Sequence, residues 1–481
     1  MKPLMVSISG VRGIVGQTLT PQVLMDYAAA FGLLCKGCKV VVGRDSRVSG
    51  EMARHAVLSG LLAAGCPVVD VGLVPTPTVQ LAVEDLHAAG GLVITASHNP
   101  QQWNALKFIG PSGMFLGPKQ SARLWKLAGS KKRAWAAWDR LGAVTADDGA
   151  IGRHIDRILA LTDIKPRSLR RRGFRVAVDT VNGAGGLIVP RLLEKLGCQV
   201  TGINLEPTGR FAHTPEPLPE HLEQLARAVR KARADIGFAT DPDVDRLAVI
   251  DEQGRPLGEE STLALAVQFV LKRRTGRVVV NMSTSRMIEE IARRHETRVV
   301  RTPVGEIHVA RRMKSSRAVV GGEGNGGVIL PELHLGRDAP VGMALILQHL
   351  MEHGGTASRM AADLPQYAMI KRKLKVPREK MDLVERRLAA QFKKHRVNRI
   401  DGLRVDFDDA WLHLRRSNTE PIVRIYTEAR SRKQAMGLYR ETAGRVREIL
   451  SATQSSAERP PDRSSRPSSK RSSKKQSPKR K

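Results

Sequence analysis

Cysteine is scarce. Four in 481 residues exclude a disulfide framework, and the one CxxC pair, Cys35 and Cys38, has no second pair nearby to complete a zinc site. No apolar run reaches membrane length and no secretory segment is present, so a reduced, cytoplasmic location is expected. Aromatic residues are only 4% of the chain. Acidic residues are the minority as well: 47 Asp and Glu stand against 79 Lys and Arg, a net charge of +32, which points to anionic substrates or polyanions as partners. Ten basic and two acidic residues lie from Ser455 onward, so the tail carries +8 of that charge. Residues 453–481 are Ser, Pro, Lys and Arg with almost nothing to form a core, and a disordered basic tail is expected there. Without interleaved aromatics, any polyanion contact it makes should be indifferent to sequence.

Strands and helices alternate through most of the chain, which argues an α/β fold. Thr20 and Pro21 open a helical pattern that runs through Leu33, and the Lys39–Val42 strand follows. Similar cassettes recur as strand Arg175–Val178, helix Leu187–Leu196, strand Gln199–Ile203, and as strand Arg277–Val280, helix Arg286–His295, strand Arg298–Val300. Three related α/β units with mixed sheets are therefore expected at 1–145, 150–255 and 256–365. An α+β domain should follow at 366–452, its last helix ending near Ile449, with a cleft between the four domains.

Four segments carry chemistry. Thr95-Ala96-Ser97-His98-Asn99-Pro100 follows the apolar run Leu92–Ile94, so a buried strand ends by presenting a serine and a histidine, with Ser97 the leading nucleophile. Asp241-Pro242-Asp243-Val244-Asp245-Arg246 also ends an apolar stretch, and in an extended segment its three carboxylates share one side. Such a set needs a cation, and oxygen ligation suits Mg²⁺. A calcium EF-hand is disfavoured, because Arg246 stands where that loop needs glycine and Leu247–Ile250 reads as a strand. Gly321-Gly322-Glu323-Gly324-Asn325-Gly326-Gly327 has the character of a polyol contact loop, with Glu323 and Asn325 as polar contacts. Arg415-Arg416-Ser417-Asn418-Thr419-Glu420-Pro421 lies between two strand-like runs and suits a phosphate dianion.

Together, in this order, the segments resemble the α-D-phosphohexomutase superfamily over roughly residues 4–450. The resemblance implies that Ser97 carries a phosphoryl group and that Asp241, Asp243 and Asp245 bind Mg²⁺ together with the Ser97 phosphate. It further implies that Glu323 and Asn325 touch sugar hydroxyls, while Arg415, Ser417, Asn418 and Thr419 hold the phosphate that is not reacting. Arg12 of Gly10-Val11-Arg12-Gly13, Lys107 and Arg246 match the family as additional positive charge. A hexose 1,6-bisphosphate activator and intermediate is implied with them. Some members carry a histidine where this chain has Gly327, so acid/base duty passes to Lys107, His98 or Glu306. The run Gln101–Lys107 and the GEGNGG loop look more like the archaeal-type phosphoglucosamine mutases than the commonest bacterial form, which sets glucosamine phosphates as the expected substrates and mannose or glucose phosphates as the alternative. A metal-assisted phosphatase would also use Ser97 and the aspartates but has no need of a distant phosphate cradle. A noncatalytic polyanion binder would explain the charge but not the site.

Overall fold

Residues 4–130, 134–416 and 422–455 are described by the computed structural model. Local chemistry sets the first helix, Pro21–Leu34: Thr20 Oγ1 accepts the Val23 N–H at 3.3 Å and proline takes the first helical position. Cys35 closes it as a buried free thiol whose pKa is pushed up to about 12 by burial, and Cys38 is also free.

One topology recurs three times. In the first domain the strands Val40–Arg44, Val68–Leu73, Gly90–Ile94 and Trp103–Ile109 lie in the spatial order fourth, third, first, second. The first three are parallel and the fourth returns antiparallel against the third. The second domain repeats this with Arg175–Asp179, Gln199–Ile203, Ile236–Thr240 and Leu247–Asp251. The third does so with Val278–Asn281, Val299–Thr302, Val320–Glu323 and Gly327–Ile329. The first sheet is widened to seven strands by Met5–Ser7, Gly10–Ile14 and Val144–Ala146. In each repeat the turn between the third and fourth strands emerges at the carboxyl end of the parallel strands, where open α/β sheets bind ligands. These turns are residues 95–102, 241–246 and 324–326, so three of the four segments singled out above occupy equivalent places.

One apolar core runs through all three units, joining Val79 and Val93 to Val176 and Phe238 and on to Leu265 and Ile346. The last domain is an antiparallel five-stranded sheet with a core of its own, including Val405, Leu414, Ile425 and Val446. Its terminal helix, Arg432–Ser455, passes the expected end near Ile449 and takes in residues the sequence assigns to the tail. Ser451 to Ser455 contain no glycine or proline to stop it. Among the described residues no helix is long and apolar enough to cross a membrane.

Candidate active site

Ser97 is buried and its backbone has φ of +49°, a left-handed conformation that costs a non-glycine residue about 1–3 kcal/mol. Arg47 and Asp45 hold it there. Arg47 Nη2 donates to the carbonyls of Ser97 (2.5 Å) and Asn99 (2.7 Å), and Nη1 to those of Pro100 and Trp103 (2.8 Å each). Asp45 accepts from Arg47 Nε and from Thr95 Oγ1, whose oxygen in turn accepts the Ser97 N–H at 2.9 Å. The result aims Ser97 Oγ at Asp241 Oδ2, 2.7 Å away, with His98 Nδ1 at 3.3 Å. Arg12 reaches the same loop through Asn99 Oδ1 at 2.7 Å. Burial, and then Arg246 and Arg12, hold the His98 imidazolium well below the ordinary histidine range.

The aspartate segment is not extended. Val244 takes φ of +63°, a severe departure for a β-branched residue, and the chain closes into a tight turn in which the N–H groups of Asp245 and Arg246 donate to Asp241 Oδ1. That turn, rather than an alternating strand, gathers the carboxylates: Asp241, Asp243 and Asp245 are all buried and offer oxygens within 4.8 Å of one another. Their remaining bonds fit a cation. Asp243 Oδ2 is held by Lys107 Nζ and Thr76 Oγ1, both at 2.7 Å, and Asp245 Oδ2 by Arg337 Nη2 at 2.6 Å, while among the described residues Oδ1 of each is buried with no hydrogen-bond partner, Asp245 Oδ1 having only Arg246 Nε at 3.9 Å. Unpaired carboxylate oxygens in a dry site are costly unless a cation takes them, and an all-oxygen donor set suits a hard divalent ion. Burial together with Asp245 and Asp243 raises the Asp241 carboxyl well above its usual range. Burial acts the same way on Asp243, but Lys107 and Thr76 overcome it and keep that carboxyl low. Lys107 is buried too, yet Asp243 and Asp245 raise its pKa above the ordinary value, so it stays an ammonium.

The glycine-rich segment is mostly strand: Val320–Glu323 and Gly327–Ile329 pair, leaving only 324–326 as a turn. Glu323 is buried, accepting from Asn281 Nδ2 at 2.8 Å and from the Gly305 N–H at 2.9 Å. Asn325 stands partly exposed beside it. Glu306 is buried against Arg337, whose backbone N–H and Nε both donate to it. Arg246 pairs with Glu216 at 2.9 Å.

The last domain reaches this assembly through polar contacts. Arg415 Nε donates to Asp401, whose Oδ2 accepts the Val304 N–H at 2.8 Å, one residue from the Gly305 N–H that holds Glu323. Arg404 donates to the Met282 carbonyl, and His413 is buried between Ser283 Oγ and the Asp401 carbonyl. Ser417, Asn418 and Thr419 lie outside the described residues.

Ser97, His98, Arg12, Lys107, the three aspartates, Arg246, Glu323 and Asn325 are thus joined by a continuous set of contacts, and Arg415 is linked to them through Asp401. Sequence reasoning missed Asp45, Arg47, Thr76, Arg337 and Asp401. The polar run Asp45-Ser46-Arg47, directly after a strand end, carried the same signal as the Ser97 segment; Arg337 and Asp401 carried none.

Comparison with known proteins agrees over the whole folded chain. The phosphoglucomutase/phosphomannomutase alpha/beta/alpha domains I, II and III match residues 5–134, 152–254 and 258–367, and the C-terminal domain of the same family matches 372–444. The chain belongs to this phosphohexomutase family. A phosphoglucomutase/phosphomannomutase of Thermococcus kodakarensis is 40% identical over 434 residues, 89% of this chain and 94% of the relative. A probable phosphoglucosamine mutase of Methanopyrus kandleri is 38% identical over 450 residues, 92% and 97% of the two chains. The solved structure of a phosphoglucomutase/phosphomannomutase family protein from Burkholderia thailandensis superposes with a TM-score of 0.81 at 28% identity, covering 94% of this chain and 98% of that one. As a phosphohexomutase the protein is an isomerase that works by phosphoryl transfer.

Proposed function

We propose that this phosphohexomutase interconverts glucosamine 6-phosphate and glucosamine 1-phosphate through a phosphoserine at Ser97 and a hexosamine 1,6-bisphosphate intermediate. The observation that carries the mechanism is that Ser97 Oγ meets Asp241, one of three clustered buried aspartates, at 2.7 Å, while the buried Lys107 ammonium holds the next of them, Asp243. Asp241, Asp243 and Asp245 would hold Mg²⁺, which when bound draws charge from the phosphoryl oxygens. Phosphoryl transfer leaves the protein mainly positioning and charge neutralisation. Lys107, Arg12 and Arg246 supply the fixed positive charge for the transferring group. The sugar hydroxyl attacks phosphorus as the bond from phosphorus to Ser97 Oγ breaks, and the hydroxyl proton is relayed by His98, neutral at rest, to the departing Ser97 oxygen that its Nδ1 faces, while Lys107 and Glu306 are committed to ion pairs. Glu323 and Asn325 orient the hydroxyls, and Arg415 with Ser417, Asn418 and Thr419 grips the phosphate that is not reacting. The bisphosphate turns end for end and returns its other phosphoryl group to Ser97, so that a trace of hexose 1,6-bisphosphate restores any enzyme that has lost its phosphate. The basic residues of the tail add a salt-sensitive polyanion contact.

Support for glucosamine comes from the GEGNGG loop, from Gln101–Lys107 and from relatives named probable phosphoglucosamine mutases. The 40% identical relative named phosphoglucomutase/phosphomannomutase favours glucose or mannose phosphates as the second reading. The deciding measurement is kcat/KM for the three 1-phosphates with a hexose 1,6-bisphosphate present. Glucosamine 1-phosphate is expected to be turned over best; a clear preference for either other sugar removes the assignment and leaves the mutase mechanism standing.

A further inference from the structure

Arg337 fills the space beside residue 327. A Cβ built on Gly327 would lie 2.3 Å from Arg337 Cδ and 3.0 Å from Cγ, so no side chain can stand at 327 while Arg337 keeps its place. From there its planar fork reaches both loops. Nη2 donates to Asp245 Oδ2 at 2.6 Å, Nη1 to Glu323 Oε2 at 3.1 Å and Asn325 Oδ1 at 3.4 Å, and Nε to Glu306 Oε2 at 3.0 Å. The neighbouring Asp338 anchors the backbone. Its Oδ2 sits 2.8 Å from His154 Nε2 and 3.0 Å from His334 Nε2, and His154 Nδ1 meets Thr78 Oγ1 at 2.8 Å, so elements of all three α/β domains hold this one position.

We propose that Arg337 is a positioning residue that couples the two loops: by holding Asp245 Oδ2 it turns Oδ1 toward the cation, and by holding Glu323 and Asn325 it sets the sugar contacts in register with that cation. Glycine at 327 is then a requirement of the arginine rather than a lost functional group. The inference rests on the reading of the three aspartates as a metal site. Partners that orient metal ligands typically change affinity about 10–100-fold when removed.

The test is Mn²⁺ binding by electron paramagnetic resonance on the full chain, with KM and kcat measured alongside. Arg337→Met is expected to weaken Mn²⁺ binding about tenfold or more and to raise KM for the phosphosugar. Arg337→Lys, which keeps the charge but not the fork, should recover part of the Mn²⁺ affinity and little of KM. Gly327→Ala displaces the arginine without removing it and should weaken Mn²⁺ in the same direction, so the test survives if Arg337→Met does not fold. Wild-type Mn²⁺ affinity and KM in either Arg337→Met or Gly327→Ala would overturn the coupling alone. Failure of the unmutated protein to bind Mn²⁺ would overturn the metal reading and this inference with it.

Discussion

The two ends of the site are built differently. At the Ser97 end the groups are enclosed and cross-linked: the side chains of Asp241, Asp243 and Lys107 are buried, and Arg337 and Arg47 lock the surrounding loops with several hydrogen bonds each. At the Arg415 end the arginine is only half-buried, and its domain, with a separate apolar core, is attached through polar contacts such as Asp401 to Val304 and His413 to Ser283. The difference follows the chemistry. Charge neutralisation during phosphoryl transfer gains from a dry, preassembled site, whereas the proposed grip on either phosphate of a turning bisphosphate needs a surface that can be approached from solvent.

Substitutions can break that contrast in order of expected effect. Ser97→Ala removes the hydroxyl proposed to carry the phosphate and should abolish mutase activity, with intact mass showing one phosphate on the unmutated protein and none on the variant. Retained turnover would end the phosphoserine reading. Lys107→Met strips the ammonium from Asp243 and Asp245 and should lower kcat about a hundredfold or more with a smaller change in KM, read from steady-state and single-turnover rates. At the open end Arg415→Met should do the reverse, raising KM about tenfold or more as a charge-assisted phosphate contact is lost while kcat at saturation changes much less. If both variants lower kcat alike, the two ends are one unit and the contrast fails.

The smallest effect concerns how the last domain is attached. Burial, followed by the nearby Arg404 charge, outweighs the hydrogen bond to the Asp401 carbonyl and lowers His413 to about 4. Its folded value lies below the unfolded one of about 6.5, so its contribution is complete above that pH and is lost as pH falls toward 4, by at most about 3 kcal/mol. Urea melts of the full chain at pH 7.5 and pH 5 should show this loss, and His413→Gln should flatten it. An unchanged pH dependence in the variant would assign the acid sensitivity to other groups.

Much of the fold was legible because period and punctuation are local. Thr20 and Pro21 start a helix from their own chemistry, and the recurring strand and helix cassettes announce three related units. The segments around Ser97, Asp241, Glu323 and Arg415 were visible because polar groups stand out directly after apolar strands. The aspartates were read as an extended run, and the tight turn at Val244 corrects this, since a positive φ on a β-branched residue is imposed by packing that no propensity reports.

By itself the sequence determined the α/β class and the repeats and singled out the segments around Ser97, Asp241 and Glu323, all of which depend on residue type and short-range order. Only the tertiary structure decided how they cooperate. Arg47 serves Ser97 from 50 positions away in the chain, Arg337 serves Asp245 from 92, and Asp401 joins Arg415 to Val304 across a domain boundary. Buried ion pairs of this kind are specified by which oppositely charged groups packing leaves together without water, and that is settled only when the three equivalent turns meet.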